Sequence, residues 1–362
     1  MKSKLIPLLG VMVVVALVGA IIISLMEQQN KGLPGQEEPK IRVAASFYPA
    51  YIIGINITDQ IQGVQVESLT DLNVGCLHDY QLTTGDMRLL SGADVLLING
   101  GGMESYLSEV VKNYPELTII DISEGIPMIG SMEPEGEPNP HVWLDPERYM
   151  SQITNVREGL SAYVDGKAGL SKEYKEEVIK LISSNSDTYL QQVSVIEDDF
   201  KELIDNIADS RSDRLGISQA ANAPQDLNNS QATNASLVID DHTQAVNDSQ
   251  NIIKEKVIIF HEAFAYIADR AGLEVAYTVE LEGDTALSAG EIAEVIRLVD
   301  AENIKYLFTE KQYGDSITDR IEEETDADAF VIDSAVTGDG SKESYLDAME
   351  YNLLILRNAL LN

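Results

Sequence analysis

Four histidines stand in this chain of 362 residues, at His78, His141, His242 and His261, together with a single cysteine, Cys76. Neutral imidazole nitrogens and carboxylate oxygens are the donors that divalent transition metals take, so the first question is which of these side chains the chain could bring together. His78 lies in a loop after an apolar run at 64–69. His141 lies in a loop after a run at 117–122, and His261 directly follows a run at 257–260. Asp333 ends the run 329–332 in the same manner. Singly, each would read as a hydrogen-bonded loop residue or a cap. Jointly, three imidazoles and one carboxylate at the ends of strands form a set of three nitrogens and one oxygen, which suits a tetrahedral zinc ion. His242 lies apart from this pattern, in a polar stretch between Asp241 and Thr243.

The elements that must position these residues alternate. Short apolar runs at 42–46, 64–69, 95–99 and 117–122 read as strands, interleaved with helical patterns such as 103–114. The second half repeats the plan, with strands expected at 257–260, 274–279, 305–309 and 329–332 and helices at 262–271, 289–301, 316–325 and 342–361. The fold class is therefore α/β, two lobes with mainly parallel sheets, where ligands bind beyond the carboxyl ends of the strands. Asp145 followed by Pro146 marks a helix start, and Ser288 with Glu291 forms a capping box. Between the lobes, apolar positions recur near a 3.6 period over 171–207, long enough for one linking helix to run along both.

Composition limits the partners. With 25 Lys+Arg against 60 Asp+Glu the formal charge is −35, which leaves no basic surface for nucleic acid. Cations are the natural company of such a chain. One cysteine excludes an intramolecular disulfide and a cysteine-built structural zinc site. Lys2 and Lys4 precede an apolar run at 5–26, about 22 residues and so long enough to span a bilayer. It reads as an uncleaved anchor that places the rest outside the cytoplasm, a cleaved signal being the alternative. The expected organisation is an anchor or signal segment at 1–28, a polar tether at 29–40, an N-terminal lobe at 41–168 and a linking helix at 169–208. A low-complexity insertion at 209–250, without a Phe, Trp or Tyr to build a core, precedes a C-terminal lobe at 251–362.

Several runs together resemble a known family. Gly75-Cys76-Leu77-His78-Asp79-Tyr80, the run 86–100, Asn139-Pro140-His141-Val142-Trp143-Leu144-Asp145-Pro146 and Phe260-His261-Glu262-Ala263-Phe264-Ala265-Tyr266 look like the zinc and manganese solute-binding proteins of ABC importers. The resemblance implies two α/β lobes joined by a long rigid helix, with metal held between them by His78 and His141 from the first lobe and His261 and Asp333 from the second. A histidine at the third position is the pattern of zinc-type members, so Zn is expected ahead of Mn. It also implies a non-enzymatic, monomeric protein whose partner is an ABC permease in the membrane. The sequence departs from the family in lacking a proline before His78 and a histidine-rich loop; the stretch 125–140 is instead short and acidic and reads as a solvated loop. Cys76 reads as a packing residue beside the first histidine, and Glu310, ending a strand, as a group that could orient a ligand.

Three other readings compete. Asn99-Gly100-Gly101-Gly102 after a strand, with Asp121 about twenty residues on, outlines a dinucleotide fingerprint, but Ser105 stands where its third glycine belongs. A zinc hydrolase would need an open coordination position and a general base. An adhesin on the same scaffold is the third.

Overall fold

The computed structural model describes residues 40–75, 77, 80–107, 111–131, 137–214, 254–279, 287–310 and 315–361. Two four-stranded sheets, all parallel, have the strand orders β2-β1-β3-β4 and β6-β5-β7-β8. The first contains β1 (Ile41–Ala45), β2 (Val64–Ser68), β3 (Val95–Ile98) and β4 (Thr118–Asp121). The second contains β5 (Lys256–Ile259), β6 (Glu274–Thr278), β7 (Tyr306–Glu310) and β8 (Asp328–Ile332). The expected α/β class with two parallel lobes holds, and each apolar run falls within a residue or two of its strand. These strands read as short apolar runs because helices cover their faces.

In the first lobe the helices are α1 (Tyr48–Ile57), α2 (Thr84–Gly92) and α3 (Pro146–Gly166). Asp145 caps α3 as expected, its carboxylate accepting from the amides of Glu147 and Arg148 at 2.9 and 3.2 Å, with Pro146 in the first turn. The long helix α4 (Lys172–Arg214, 43 residues) is about 65 Å of rod at 1.5 Å per residue. It runs further than its apolar pattern suggests because Arg211 at its far end is tied to the second lobe, donating to Glu255 at 2.9 Å and to the carbonyls of Ala271 and Gly272. The second lobe adds α5 (Ala265–Arg270), α6 (Ala289–Glu302), α7 (Asp315–Glu324) and α8 (Ser344–Leu361). Ser288 and Glu291 form the expected capping box of α6.

The described part of one helix expected from the sequence takes another form. Within 103–114, Ser105–Leu107 and Val111–Asn113 are 3₁₀ turns, and residues 108–110 lie outside the described residues. The cause lies just upstream, where Gly100, Gly101 and Gly102 take φ of 82°, 62° and 92°, and the Glu104 side chain folds back onto that turn instead of projecting from a helix. The expected helix at 262–271 is likewise a 3₁₀ turn, Glu262–Phe264, followed by α5.

One buried core joins the first sheet, α4 and the adjoining face of the second lobe. Its centre holds three fully buried tyrosines from three helices. Tyr149 of α3 stacks on Tyr345 of α8 with ring centres 3.6 Å apart, and its hydroxyl meets that of Tyr189 of α4 at 3.0 Å. Tyr345 donates to the carbonyl of Trp143 at 2.9 Å, which carries this packing to the loop that bears His141. The N-terminal run 5–26, the tether to residue 39, His242 and all but the first residues of the polar stretch 209–250 lie outside the described residues. Among the described residues no helix is long and apolar enough to cross a membrane.

Candidate metal centre

Of the four candidate ligands, His141, His261 and Asp333 are described; His78 and its neighbour Cys76 lie outside the described residues. His141 and His261 come from opposite lobes and stand with ring centres 5.0 Å apart at an interplanar angle of 85°. His141 is fully buried, whereas His261 is half-buried. Asp333 is half-buried beyond β8, its Oδ1 accepting from the amide of Ala335 at 2.8 Å. Asn352 of α8 brackets its backbone, accepting from the Asp333 amide and donating to its carbonyl at 2.8 and 2.7 Å. Among the described residues no group of three or more His, Cys, Asp or Glu side chains could hold one ion.

The loop before His141 is pinned at each residue. The Asn139 carbonyl accepts from the Tyr266 hydroxyl at 2.7 Å, and the Pro140 carbonyl accepts from Asn99 Nδ2 at 2.8 Å. Asn99 is itself held by Gln152, which donates to its Oδ1 at 2.9 Å. The His141 amide donates to Asn139 Oδ1 at 3.1 Å, and the same oxygen lies 2.8 Å from His141 Nδ1. Two residues on, Trp143 is fully buried, edge-on to Phe47 at 5.1 Å and 5.2 Å from the His141 ring. Its indole N–H donates to the Ser334 carbonyl at 2.8 Å, so one side chain spans from the His141 loop to the residue after Asp333.

His261 is held differently. Its backbone is extended (φ −161°, ψ 138°) and its Nδ1 accepts from the Ala263 amide at 3.1 Å, so the ring serves as the N-cap of the 3₁₀ turn that follows. An amide can only donate; the neutral ring in this arrangement therefore carries its proton on Nε2. Beside it, the Glu262 carboxylate takes a hydrogen bond from Ser131, and the Glu262 carbonyl accepts from Asn139 Nδ2 at 3.1 Å.

The described parts of the stretch 125–140 are exposed at Gly125, Pro127, Gly130, Glu137 and Pro138, in keeping with a solvated loop, but the stretch is also tied down. Gly130 and Pro138 pair in an antiparallel bridge, and the Ile129 amide donates to the Tyr266 hydroxyl at 3.3 Å. These contacts dock the stretch on the second lobe. Glu310 is buried at the end of β7 and accepts from the Ser334 hydroxyl, which joins it to the Asp333 loop. Sequence reasoning missed Asn139, Asn99, Gln152 and Tyr266 as supports of the site. Asn139 carried a signal, since an amide two residues before a histidine can reach both its backbone and its ring.

The glycine turn after β3 has no room for a phosphate. The Asn99 and Gly100 amides, which would cradle one, already donate to the Glu104 carboxylate at 2.6 and 3.1 Å, and the Ser46 hydroxyl adds a third bond at 2.7 Å. Burial nevertheless pushes the Glu104 carboxyl above its ordinary range, with those three bonds opposing the shift. Gly100 is required here, since a Cβ would stand 2.0 Å from Asp121 Oδ1.

The family described as ZnuA, zinc-uptake complex component A, periplasmic, matches residues 43–223 and 200–359. The chain belongs to this family. It is thus a solute-binding protein of ABC import that takes a divalent metal ion, and not an enzyme. Among curated relatives, the manganese-binding lipoprotein MntA of Halalkalibacterium halodurans is 22% identical over 279 residues, covering 76% of this chain and 75% of MntA. The zinc-binding lipoprotein AdcA of Streptococcus pneumoniae is 22% identical over 343 residues, covering 89% of this chain but 56% of AdcA, so the chain spans about half the length of that relative. In fold it is similar to the solute-binding protein FpvC of Pseudomonas aeruginosa in complex with Mn2+ (TM-score 0.63, 17% identity, 89% of this chain and 98% of FpvC). It is equally similar to the Zn(II)-bound ZnuA-like domain of S. pneumoniae AdcA (TM-score 0.63, 18% identity, 89% of this chain and 100% of that domain).

Proposed function

We propose that this protein captures Zn outside the cytoplasm, in preference to Mn, and delivers it to an ABC permease, with His78, His141, His261 and Asp333 as the ligands. The observation that carries the reading is the approach of His141 and His261 from opposite lobes to ring centres 5.0 Å apart, in a chain of charge −35 that draws cations to its surface. Imidazole-rich sites follow the Irving–Williams trend, which places Zn above Mn. MntA and AdcA, whose names record manganese and zinc respectively, frame that choice. The proposed organisation keeps an anchor or signal at 1–28, a tether at 29–40 and lobes at 41–168 and 251–362, with a linking helix from 169 that takes in the first residues of the stretch 209–250 and an insertion over the remainder of that stretch.

Metal analysis of the purified protein, followed by competition of Zn against Mn, tests this reading. One Zn per chain, not displaced by a hundredfold excess of Mn, is expected. Displacement by equimolar Mn would overturn the zinc preference, and binding unchanged in His141→Ala would overturn the site.

A further inference from the structure

Asn139 is fully buried and makes four hydrogen bonds whose donors and acceptors are not interchangeable. Its amide donates to the Ile129 carbonyl at 2.9 Å, and its carbonyl accepts from Tyr266 at 2.7 Å. Its side chain lies between the His141 amide, which can only donate, and the Glu262 carbonyl, which can only accept. Both neighbours demand the same orientation, with Oδ1 toward His141 and Nδ2 toward Glu262. The oxygen 2.8 Å from His141 Nδ1 is therefore an acceptor, and Nδ1 must be the donor.

From this geometry we infer that Asn139 is a positioning residue with two functions. It fixes neutral His141 in the Nδ1–H tautomer, which leaves the Nε2 lone pair for metal, and it ties that histidine to the turn of His261 in the other lobe. The inference deepens the reading of His141 as a ligand and rests on it. Metal-ligating histidines need their second nitrogen engaged in this way, because that hydrogen bond sets the ring's tautomer and direction. The second bond explains why the residue is an amide. An aspartate would still accept from Nδ1, but would set a carboxylate oxygen against the Glu262 carbonyl.

The test uses the full chain in detergent, labelled with ¹⁵N-histidine, and the zinc ion as probe. Long-range ¹H–¹⁵N spectra of the metal-free protein, assigned by the signals lost in His141→Ala, are expected to show His141 protonated on Nδ1. Zinc affinity, read by competition with a fluorescent chelator, is expected to fall about 10- to 100-fold in Asn139→Leu, the usual cost of losing a group that orients a metal ligand. Asn139→Asp is expected to keep the Nδ1 proton and to recover most of that affinity, which a purely structural role would not produce. A wild-type His141 protonated on Nε2 would overturn the proposal without need of any variant. So would zinc affinity in folded Asn139→Leu within threefold of wild type while His141→Ala has lost it. Zinc binding unchanged in His141→Ala would instead remove the underlying ligand reading, a result distinct from either of these.

Discussion

The two lobes are built on one plan and use it differently. Ala45 pairs with Leu97 in the first sheet as Ile259 pairs with Phe308 in the second. The next amides, of Ser46 and Phe260, donate to the Leu97 and Phe308 carbonyls at the same 2.8 Å. Phe47 and His261 therefore occupy equivalent positions, and both are extended N-caps, with φ of −162° and −161°. In the first lobe this position is spent on packing, with Phe47 edge-on to Trp143. In the second it presents an imidazole toward the facing lobe. The same contrast recurs two residues beyond Leu97 and Phe308, where the first lobe has the amide of Asn99, bonded on both sides, and the second the carboxylate of Glu310.

The comparison separates a prepared ligand from a committed one. His141 is buried with Nδ1 already facing an acceptor, which leaves Nε2 as the nitrogen that carries the lone pair. His261 spends Nδ1 as acceptor for a turn. Binding metal through Nε2 requires that ring to move its proton and release the Ala263 amide, and binding through Nδ1 requires the same release. Under the proposed ligand set, the first lobe contributes an imidazole held on its Nδ1 side, and the second contributes one at the expense of a cap.

The largest effect on stability is expected where the first lobe's loop is anchored. Trp143→Ala removes a fully buried indole, its edge contact with Phe47 and the bond to Ser334. Destabilisation by about 3–5 kcal/mol is expected from the cavity alone, measured by denaturant unfolding. A loss under about 1 kcal/mol would show that the loop does not depend on this anchor.

The two histidines should then divide by stability although both lose metal. His141→Ala empties a buried position and is expected to cost about 1–3 kcal/mol. His261→Asn keeps a good cap for the Ala263 amide, because asparagine is among the favoured N-cap residues, and is expected to cost under about 1 kcal/mol. Both are expected to weaken zinc by orders of magnitude in a competition titration. Equal stability losses would erase the distinction between a pinned and a capping imidazole.

Helix caps extend the comparison on a smaller scale. Asp145→Ala removes two bonds at the start of α3 together with the ion pair to Arg148, and about 1–2 kcal/mol is expected by thermal unfolding. Ser288→Ala, at an exposed capping box in the second lobe, is expected to cost about 0.5–1 kcal/mol.

The smallest effect belongs to an exposed ion pair that crosses between the lobes. Lys342 donates to Asp59 at 2.8 Å with both side chains about a third or more exposed, so Asp59→Asn is expected to cost under about 1 kcal/mol. The hydrogen bond from Lys342 holds the Asp59 carboxyl below its ordinary value, and the same bond raises the Lys342 amine. A carboxyl with a lowered folded pKa stabilises above its unfolded value near 3.9 and loses that contribution as pH falls through the folded value. The raised amine contributes fully below about pH 10.4 and loses its contribution only as pH rises through its higher folded value. The difference between wild type and Asp59→Asn should therefore be present at pH 7 and vanish in acid. A difference that grows in acid would contradict this assignment.

Features determined by neighbours in the chain were legible in the sequence. Asp145 with Pro146, Ser288 with Glu291 and the short apolar strands each follow from local chemistry, and His261 and Asp333 fall just beyond β5 and β8 as the strand runs implied. Helix α1 was missed because its sequence is apolar on nearly all sides and is buried against both the sheet and α4, so no amphipathic period marks it. The described residues of the expected helix at 103–114 form 3₁₀ turns because the turn before them is stabilised by a side chain, Glu104, bonding backward to Asn99 and Gly100. The supports of His141 were invisible for a different reason. Asn99, Tyr266 and Ser334 reach the loop from elements far along the chain, and only the folded arrangement brings them to it.

The central claim is that imidazoles from both lobes share one metal ion, and X-ray absorption at the zinc edge of the zinc-loaded protein tests it most directly. The account predicts a first shell of nitrogen and oxygen at about 2.0–2.1 Å, with outer-shell scattering from at least two imidazole rings that drops by one ring in His261→Asn. A wild-type shell of oxygen alone, without imidazole scattering, or a spectrum unchanged by His261→Asn, would contradict it.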